Sequence, residues 1–380
     1  MRKFLTVAMT LALGLFVATS AFAVAIDLGD ASKYNAFIKN DFKVTSSDTE
    51  GRIAVGGDFI VNGGYDVGAE ITYLGMGEGP SLVVGGDIVK GNNQWGGSGF
   101  LNVYENHPSE LGDIVHAGDV IDNGSSGGIL GNLNKVNAND LPVDFDSAFA
   151  HLNKLSTDLM AATTHGDAVR DGNRAGAPLV FTPTPTSTPS DNVYVFNVTQ
   201  EQLNANTDWF VEGVSDDATI LFNITNPNNI AGKSNNQGGQ CSQGQVGCVH
   251  FSQSNLSING VLASSHLAGK GGYKDSTMTN NILYNFGDAS QVNLASDLYG
   301  SVLAPNADIK ANPSVIWGQV IGKSWEGNMQ INYNPFTPVG STPPTPVPTP
   351  ATLWVFALAL ALLYVNRKSF IRVKRKPFAE

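Results

Sequence analysis

The chain has 380 residues, 42% of them apolar and only 14% charged, with 42 glycines. That apolar share excludes general disorder, and abundant Gly, Asn and Ser describe a turn-rich β protein rather than a helical one. The net charge of −11 is unevenly spread: residues 1–23 carry +2, residues 351–380 carry +5 and residues 24–350 carry −18. A body that acidic repels nucleic acid and anionic lipid, so no nucleic-acid partner is expected.

The first 23 residues have the form of a secretory signal. Arg2 and Lys3 precede an apolar centre from Phe4 to Val17, and Ala21-Phe22-Ala23 offers an A-x-A cleavage site at Ala21 and Ala23. From Ile26 to Val143 a repeat recurs: Ile53-Ala-Val-Gly-Gly-Asp-Phe-Ile60, Leu82-Val-Val-Gly-Gly-Asp-Ile-Val89 and Ile114-Val-His-Ala-Gly-Asp-Val-Ile121. Asp58, Asp87 and Asp119 follow one another at 29 and 32 residues. Glycine there permits a bulge or tight corner between two strand pieces. In a stack of coils the aspartates line one corner, capping backbone amides or facing solvent. A calcium ladder would need six to eight oxygen ligands per ion, and neither a D-x-D-x-D-G loop nor tandem G-G-x-G-x-D nonapeptides occur. The structural reading is therefore preferred.

Leu141-Pro142 leads into an amphipathic run from Asp144 to Met160, which places Phe149, Leu152, Leu155, Leu159 and Met160 on one helical face. Asp144 or Asp146 is the expected N-cap, and the stripe is expected to pack on the flank of the β core. Residues 166–192, centred on a Pro/Thr run, are expected to be a surface excursion within one domain. Strands are expected at Val193–Val198, Ala218–Ile224, Val249–Phe251 and Leu256–Ala263, with a polar loop from Asn226 to Gly247. Cys241 and Cys248 lie seven residues apart at the end of that loop. In an exported chain they are expected to form a small-loop disulfide rather than a zinc site, since no second cysteine pair exists.

The segment from Asn281 to Phe336 closes the body. Leu298-Tyr-Gly-Ser-Val-Leu-Ala304 and Ile316-Trp-Gly-Gln-Val-Ile-Gly322 are similar units whose glycines, Gly300 and Gly318, are 18 residues apart. Short strands and turns at a fixed period are the pattern of stacked coils. The expected fold is mostly β: a right-handed parallel β-solenoid or β-helix-like domain over residues 24–336 with one flanking helix. The runs N-F-G-D-A-S, L-Y-G-S-V-L-A-P-N-A-D-I and W-G-Q-V-I-G-K-S, together with L-G-D-A-S-K-Y-N-A-F at 28–37 and G-R-I-A-V-G-G-D-F at 51–59, resemble the choice-of-anchor A domain. The resemblance covers Ile26 to Phe336 and implies an exported, β-rich bacterial surface domain of adhesive type. It brings no catalytic residues.

Residues 337–350 form an uncharged Pro/Thr stalk, extended and semi-rigid. Residues 351–365 are apolar, the segment 351–366 is expected to enter a membrane, and the basic tail of residues 367–380 fixes that end in the cytoplasm. Val347, Pro348, Thr349 and Pro350 ahead of this span resemble the PEP-CTERM sorting signal, which implies an exosortase-type sorting enzyme as a partner. Thr349 stands where that motif usually has Glu, and the tail beyond Arg367 is longer than usual.

No catalytic, cofactor-binding or metal-binding residues are assigned. Gly124-Ser-Ser-Gly-Gly128 matches G-x-S-x-G, but the nucleophile elbow needs a helix after Ser126, and Ile129–Leu133 is not helical in pattern. The six histidines form no H-E-x-x-H or H-x-H arrangement. Acidic pairs such as Asp216-Asp217 serve a glycosidase only when two carboxylates face each other across a groove. The favoured function is non-enzymatic: a cell-surface or matrix protein binding an extended glycan or matrix protein through a rigid polar β face. The alternatives are a β-helix polysaccharide lyase or hydrolase, and an ice-binding protein, which would want flat threonine rows that the solenoid segments lack.

Overall fold

Short β-branched runs ended by Gly, Asn or Asp set the repeating unit of this protein. In one coil, Ile53–Val55, Phe59–Val61 and Gly64–Val67 are successive strands on three faces, called here the first, second and third sheets, turned by corners at residues 56–58 and 62–63. The first two faces are continuous through the long strands Ser301–Ala311 and Val320–Gly327. The computed structural model describes residues 26–91, 99–123, 127–184, 192–204, 208–233, 240–267 and 279–338. The chain divides into two units, residues 1–341 and 342–380, and every described residue belongs to the first. Ala21, Ala23, Ser126, the motif at 347–350 and the segment at 351–366 therefore lie outside the described residues. Among the described residues no helix is long and apolar enough to cross a membrane.

Coil stacks on coil through parallel pairing, and the registers reproduce the sequence repeats. Ile53 lies beside Leu82, and Leu82 beside Ile114; Phe59 lies beside Ile88, and Ile88 beside Val120. The 18-residue repeat likewise pairs Leu298 with Ile316 and Val302 with Val320. The stack does not run in chain order, however. The first sheet runs through strands beginning at residues 132, 113, 82, 53, 36, 320, 301, 282, 219 and 193. The chain thus starts in the middle and builds outward to Lys135. It then returns along the flank and builds inward until its last coil closes on its first.

Residues 166–192 are not the plain loop expected. Gly166–Arg170 and Leu179–Phe181 form an antiparallel pair there, and Leu179–Phe181 continues in parallel onto Trp209–Val211. Pro183 lies beyond the second strand, so it leaves that strand's hydrogen bonds intact.

The return path is the helix Phe145–Met160 (α1), capped by the Asp144 carboxylate, which accepts from the Ser147 N–H at 3.0 Å. Sixteen residues rise about 24 Å, enough to cross roughly five strands at about 4.8 Å each. Phe149, Leu152, Leu155 and Leu159 form one buried cluster with outward residues of the first sheet, among them Phe37, Ile321, Leu303, Leu283 and Leu221. Phe149 stacks on Phe37 at 5.3 Å between centroids. The helix is also held by polar side chains. Asn223 Nδ2 donates to the Leu159 carbonyl at 2.8 Å, and Asn285 Nδ2 donates to the Ser156 carbonyl at 3.0 Å.

Between the sheets, Trp325, Phe42 and Phe59 stack as neighbouring rungs at 5.7 and 5.2 Å. Tyr65 and Tyr284 are fully buried, and desolvation pushes both phenols well above the usual tyrosine value. A raised folded-state pKa favours the protonated native state. This contribution is complete below the ordinary tyrosine pKa of about 10 and is lost as pH rises above it. Unfolding is therefore expected to accompany tyrosinate formation above about pH 10. Full tyrosinate absorbance in protein that keeps its native circular dichroism would contradict this.

At Gly57, Gly86 and Gly118 the neighbouring coil leaves no space for a Cβ. One at Gly57 would sit 2.8 Å from the Asn40 carbonyl carbon, one at Gly86 would sit 2.7 Å from that of Gly57, and one at Gly118 would strike the Gly86 backbone. None of the three has a left-handed φ, so close approach alone demands glycine. Valine at any of them is expected to lower stability by about 1–3 kcal/mol, measured by denaturant unfolding. Three variants as stable as the parent would refute the packing argument.

Candidate binding face

The three sheets differ in what covers them. The first is covered by α1 and the residues packed with it, except at its end strands Asp113–His116 and Asn132–Lys135, which contribute no residue to that cluster. The third turns Asp66 and Asp48 outward, but these are occupied, Asp66 by Asn102 at 2.8 Å and Asp48 by Gln330 at 3.1 Å. Burial pushes the Asp48 carboxyl up, and the neighbouring charges of Asp66 and Glu70 add to this.

The second sheet carries a row of outward positions with few partners. Its register places Ile121, Val89, Ile60, Lys43, Glu326, Lys310, Asn293 and His250 side by side on successive strands. Period-two alternation turns their neighbours Ile88, Phe59, Phe42, Trp325 and Ile309 into the core. Two of the eight positions are covered. The Gln200 side chain accepts from the His250 N–H at 2.7 Å and donates to its carbonyl at 3.1 Å. Asn293 lies under the two cysteine sulfurs, at 3.4 and 3.6 Å. The remaining six strands leave a row about 24 Å long. Half of it is aliphatic (Ile60, Val89, Ile121) and half charged (Lys43, Glu326, Lys310). Lys43 and Glu326 pair at 3.2 Å, across the junction of the first and last coils. Lys310 makes no ion pair among the described residues.

One edge of this row is the aspartate corner. Asp41 Oδ1 accepts from the Asp58 N–H at 2.9 Å, Asp58 from that of Asp87 at 2.8 Å, and Asp87 from that of Asp119 at 2.7 Å. Each carboxylate thus caps a backbone amide of the next coil, as the structural reading of the repeat expects. Lys135 ends the ladder 2.6 Å from Asp119 and holds that carboxyl below the usual range.

Other residues singled out in the sequence have local roles. Asp216 and Asp217 accept from Asn259 and Asn192 at 3.1 and 3.0 Å, tying turns together. His151 Nε2 meets the Asp27 carbonyl at 2.7 Å, and His165 Nδ1 accepts from the Val195 N–H at 3.0 Å. Among the described residues no group of three or more His, Cys, Asp or Glu side chains could hold a metal. Cys241 and Cys248 are joined, with Cα atoms 5.6 Å apart, beside the covered end of the row.

Parallel coils stacked beside one long helix make a β-solenoid-like domain. The chain belongs to the family described as "Putative Ice-binding-like adhesive domain", whose model matches residues 27–333. No curated protein matches the sequence. Similar solved structures include an ice-binding protein from the Antarctic ascomycete Antarctomyces psychrotrophicus (14% identity, 82% of this chain and 98% of that one, TM-score 0.33). A glycosylated ice-binding protein from an Arctic yeast matches at 15% identity over 86% of this chain and 100% of that one, with a TM-score of 0.33. An ice-binding protein from an Antarctic Flavobacteriaceae bacterium matches at 11% identity, over 83% and 99%, with a TM-score of 0.27. Neither the family nor these structures are described as enzymes.

Thiol labelling of native, non-reduced protein is expected to leave both Cys241 and Cys248 unmodified. Modification of both would refute the bond. Because only a short loop is closed, the double Cys→Ser variant should remain folded, losing about 2–3 kcal/mol at most.

Proposed function

We propose that this protein is an exported adhesive module that holds an extended polymer, a glycan or a matrix protein, against the open part of its second sheet, without chemistry. The observation that carries the reading is the six-strand outward row from Ile121 to Lys310, left uncovered while α1 closes the first sheet. A chain lying across the strands meets a fixed side chain about every 4.8 Å, and many weak contacts repeated in this way become avid. The aliphatic half suits apolar faces of such a chain, and Lys43, Glu326 and Lys310 suit its polar groups. Membership in an adhesive-domain family supports the same reading.

The family description also names ice, but the chemistry of the row favours a polymer. None of its six open positions is threonine, and three are charged. Ammonium and carboxylate groups are strongly hydrated and order water around themselves rather than fitting a lattice. An enzymatic reading is weaker still, since Asp216 and Asp217 are committed to turn asparagines.

Export follows from residues 1–23, and residues 347–380 serve as address and anchor rather than as binding surface. Processing by an exosortase-type enzyme at 347–350 would release the body towards the outer surface. Without it the domain stays tethered to the membrane.

A glycan and matrix-protein array with the exported protein is expected to yield a polymer ligand. Lys310→Glu and Ile121→Asp should each weaken its binding about tenfold, equivalent to about 1.4 kcal/mol, with unchanged melting temperatures. Unaltered binding in both variants, or thermal hysteresis in place of polymer binding, would overturn the reading.

A further inference from the structure

The corner between the third and first sheets, across the coil from the open row, holds a pocket of about 380 Å³. It lies where the first and last coils meet. The segment at residues 30–34, Arg52, the loop at residues 76–80, Pro142–Val143 and Tyr333 all contribute to it.

Its wall is built rather than incidental. Arg52 is buried, and its guanidinium donates to the carbonyls of Met76 at 3.0 Å, Gly77 at 2.6 Å and Gly79 at 3.2 Å. The Glu105 carboxylate, 2.9 Å away, balances its charge. Arg52 therefore fixes the loop that carries Met76, Glu78 and Pro80 before any ligand arrives, which lowers the entropic cost of binding.

Tyr34 supplies an independent sign. The residue is only 5% exposed, yet its hydroxyl has no hydrogen-bond partner among the described residues and is not sealed in the interior. A phenol that is otherwise buried normally finds a partner. This one lines the pocket instead. Desolvation, helped by the Asp30 charge, pushes it up to about 12, so it is a neutral donor at physiological pH.

We propose that this pocket binds one neutral, pyranose-sized glycosyl unit, with the Tyr34 hydroxyl at its floor, Tyr333 and Met76 as apolar walls and Glu78 as an acceptor at its rim. The volume is at the small end of ligand sites, which run from about 300 to 1,000 Å³, and so suits a single ring. The cations do not select an anion: Lys33 is paired with Asp30 at 2.7 Å, and Arg52 with Glu105. What remains is a set of donors and acceptors between half-buried apolar surfaces, the complement of a sugar ring with its C–H faces and hydroxyls. The site is separate from the open row, so it extends the adhesive reading without depending on it.

Saturation-transfer NMR on the full-length protein, with methyl glycosides of glucose, galactose, mannose and N-acetylglucosamine and with glucuronate, tests the proposal. At least one neutral glycoside is expected to bind in the millimolar range. Tyr34→Phe and Tyr333→Ala should each weaken it at least about tenfold. Tyr34→Phe should melt with the parent, because its hydroxyl has no protein partner to lose. No binding of any neutral glycoside, binding of glucuronate alone, or full retention in both tyrosine variants would overturn it. Polymer capture that persists in the tyrosine variants while the small glycoside is lost supports two separate sites. A polymer reading that fails on the array leaves the NMR result standing by itself.

Discussion

The strand Val320–Gly327 is the joint on which the rest of the molecule depends. One edge pairs with Ser301–Ala311, and the other with Ala36–Ile38 and Phe42–Val44. Its partners on the second edge lie more than 280 residues away in sequence, so the ladder closes only after both halves have formed. Buried polar side chains lock the closure. Gln319 Nε2 donates to the carbonyls of Tyr34 at 2.7 Å and Ala31 at 3.3 Å, and its Oε1 accepts from the Phe336 N–H at 3.0 Å. Asn35 Nδ2 donates to the Gly318 carbonyl at 2.8 Å, while its Oδ1 accepts from the Gly51 N–H at 3.1 Å. Removing either side chain leaves buried backbone groups unpaired, each at a cost of about 1–3 kcal/mol. Both candidate binding regions exist only because this joint closes. Lys43 meets Glu326 across it, and the pocket of Tyr34 and Tyr333 is framed by residues from its two sides.

The repeats were legible because corners constrain sequence. Where coils approach too closely for a Cβ, glycine recurs, and where a carboxylate caps the next amide, aspartate recurs. Those two demands produce the spacings of 29, 32 and 18 residues, and the observed registers follow them. The stripe of α1 was equally legible, since a 3.6-residue period identifies one buried face. The order of the coils was not. A parallel strand edge is satisfied by any strand of suitable length, so periodicity describes the rung and not its neighbour. The choice of neighbour is made by unrepeated residues, Asn35, Gln319 and Phe336 at the joint and Asn223 and Asn285 beneath the helix. None of these carries a pattern in one sequence. The open row was hidden for the same reason. Lys43 and Glu326 become neighbours only once the last coil is known to lie against the first.

The location of the row follows from how a coil divides labour. Inward positions are fixed by the core, the first sheet must bury its outward residues under α1, and corners are committed to capping. Only outward positions of the second and third sheets are free to vary without cost to the fold, and in the third sheet the carboxylates of Asp66 and Asp48 are taken up by Asn102 and Gln330. Binding chemistry can therefore accumulate on the second sheet at little cost to stability. The backbone beneath is held by ladders on both sides except at the end strand Val120–Asp122, which pairs with Ile88–Lys90 alone, so over most of the row a ligand has only side chains to order. The entropy lost in doing so is small for Ile and Val and greater for Lys and Glu. Pairing Lys43 with Glu326 in advance reduces the loss at those two side chains, and leaves Lys310 as the charge whose contribution should respond most to salt. A surface that is half aliphatic and half ionic thus divides its grip between a part insensitive to ionic strength and a part that is not. Such a division would suit the proposed adhesive role outside the cell, where salt is not under the cell's control.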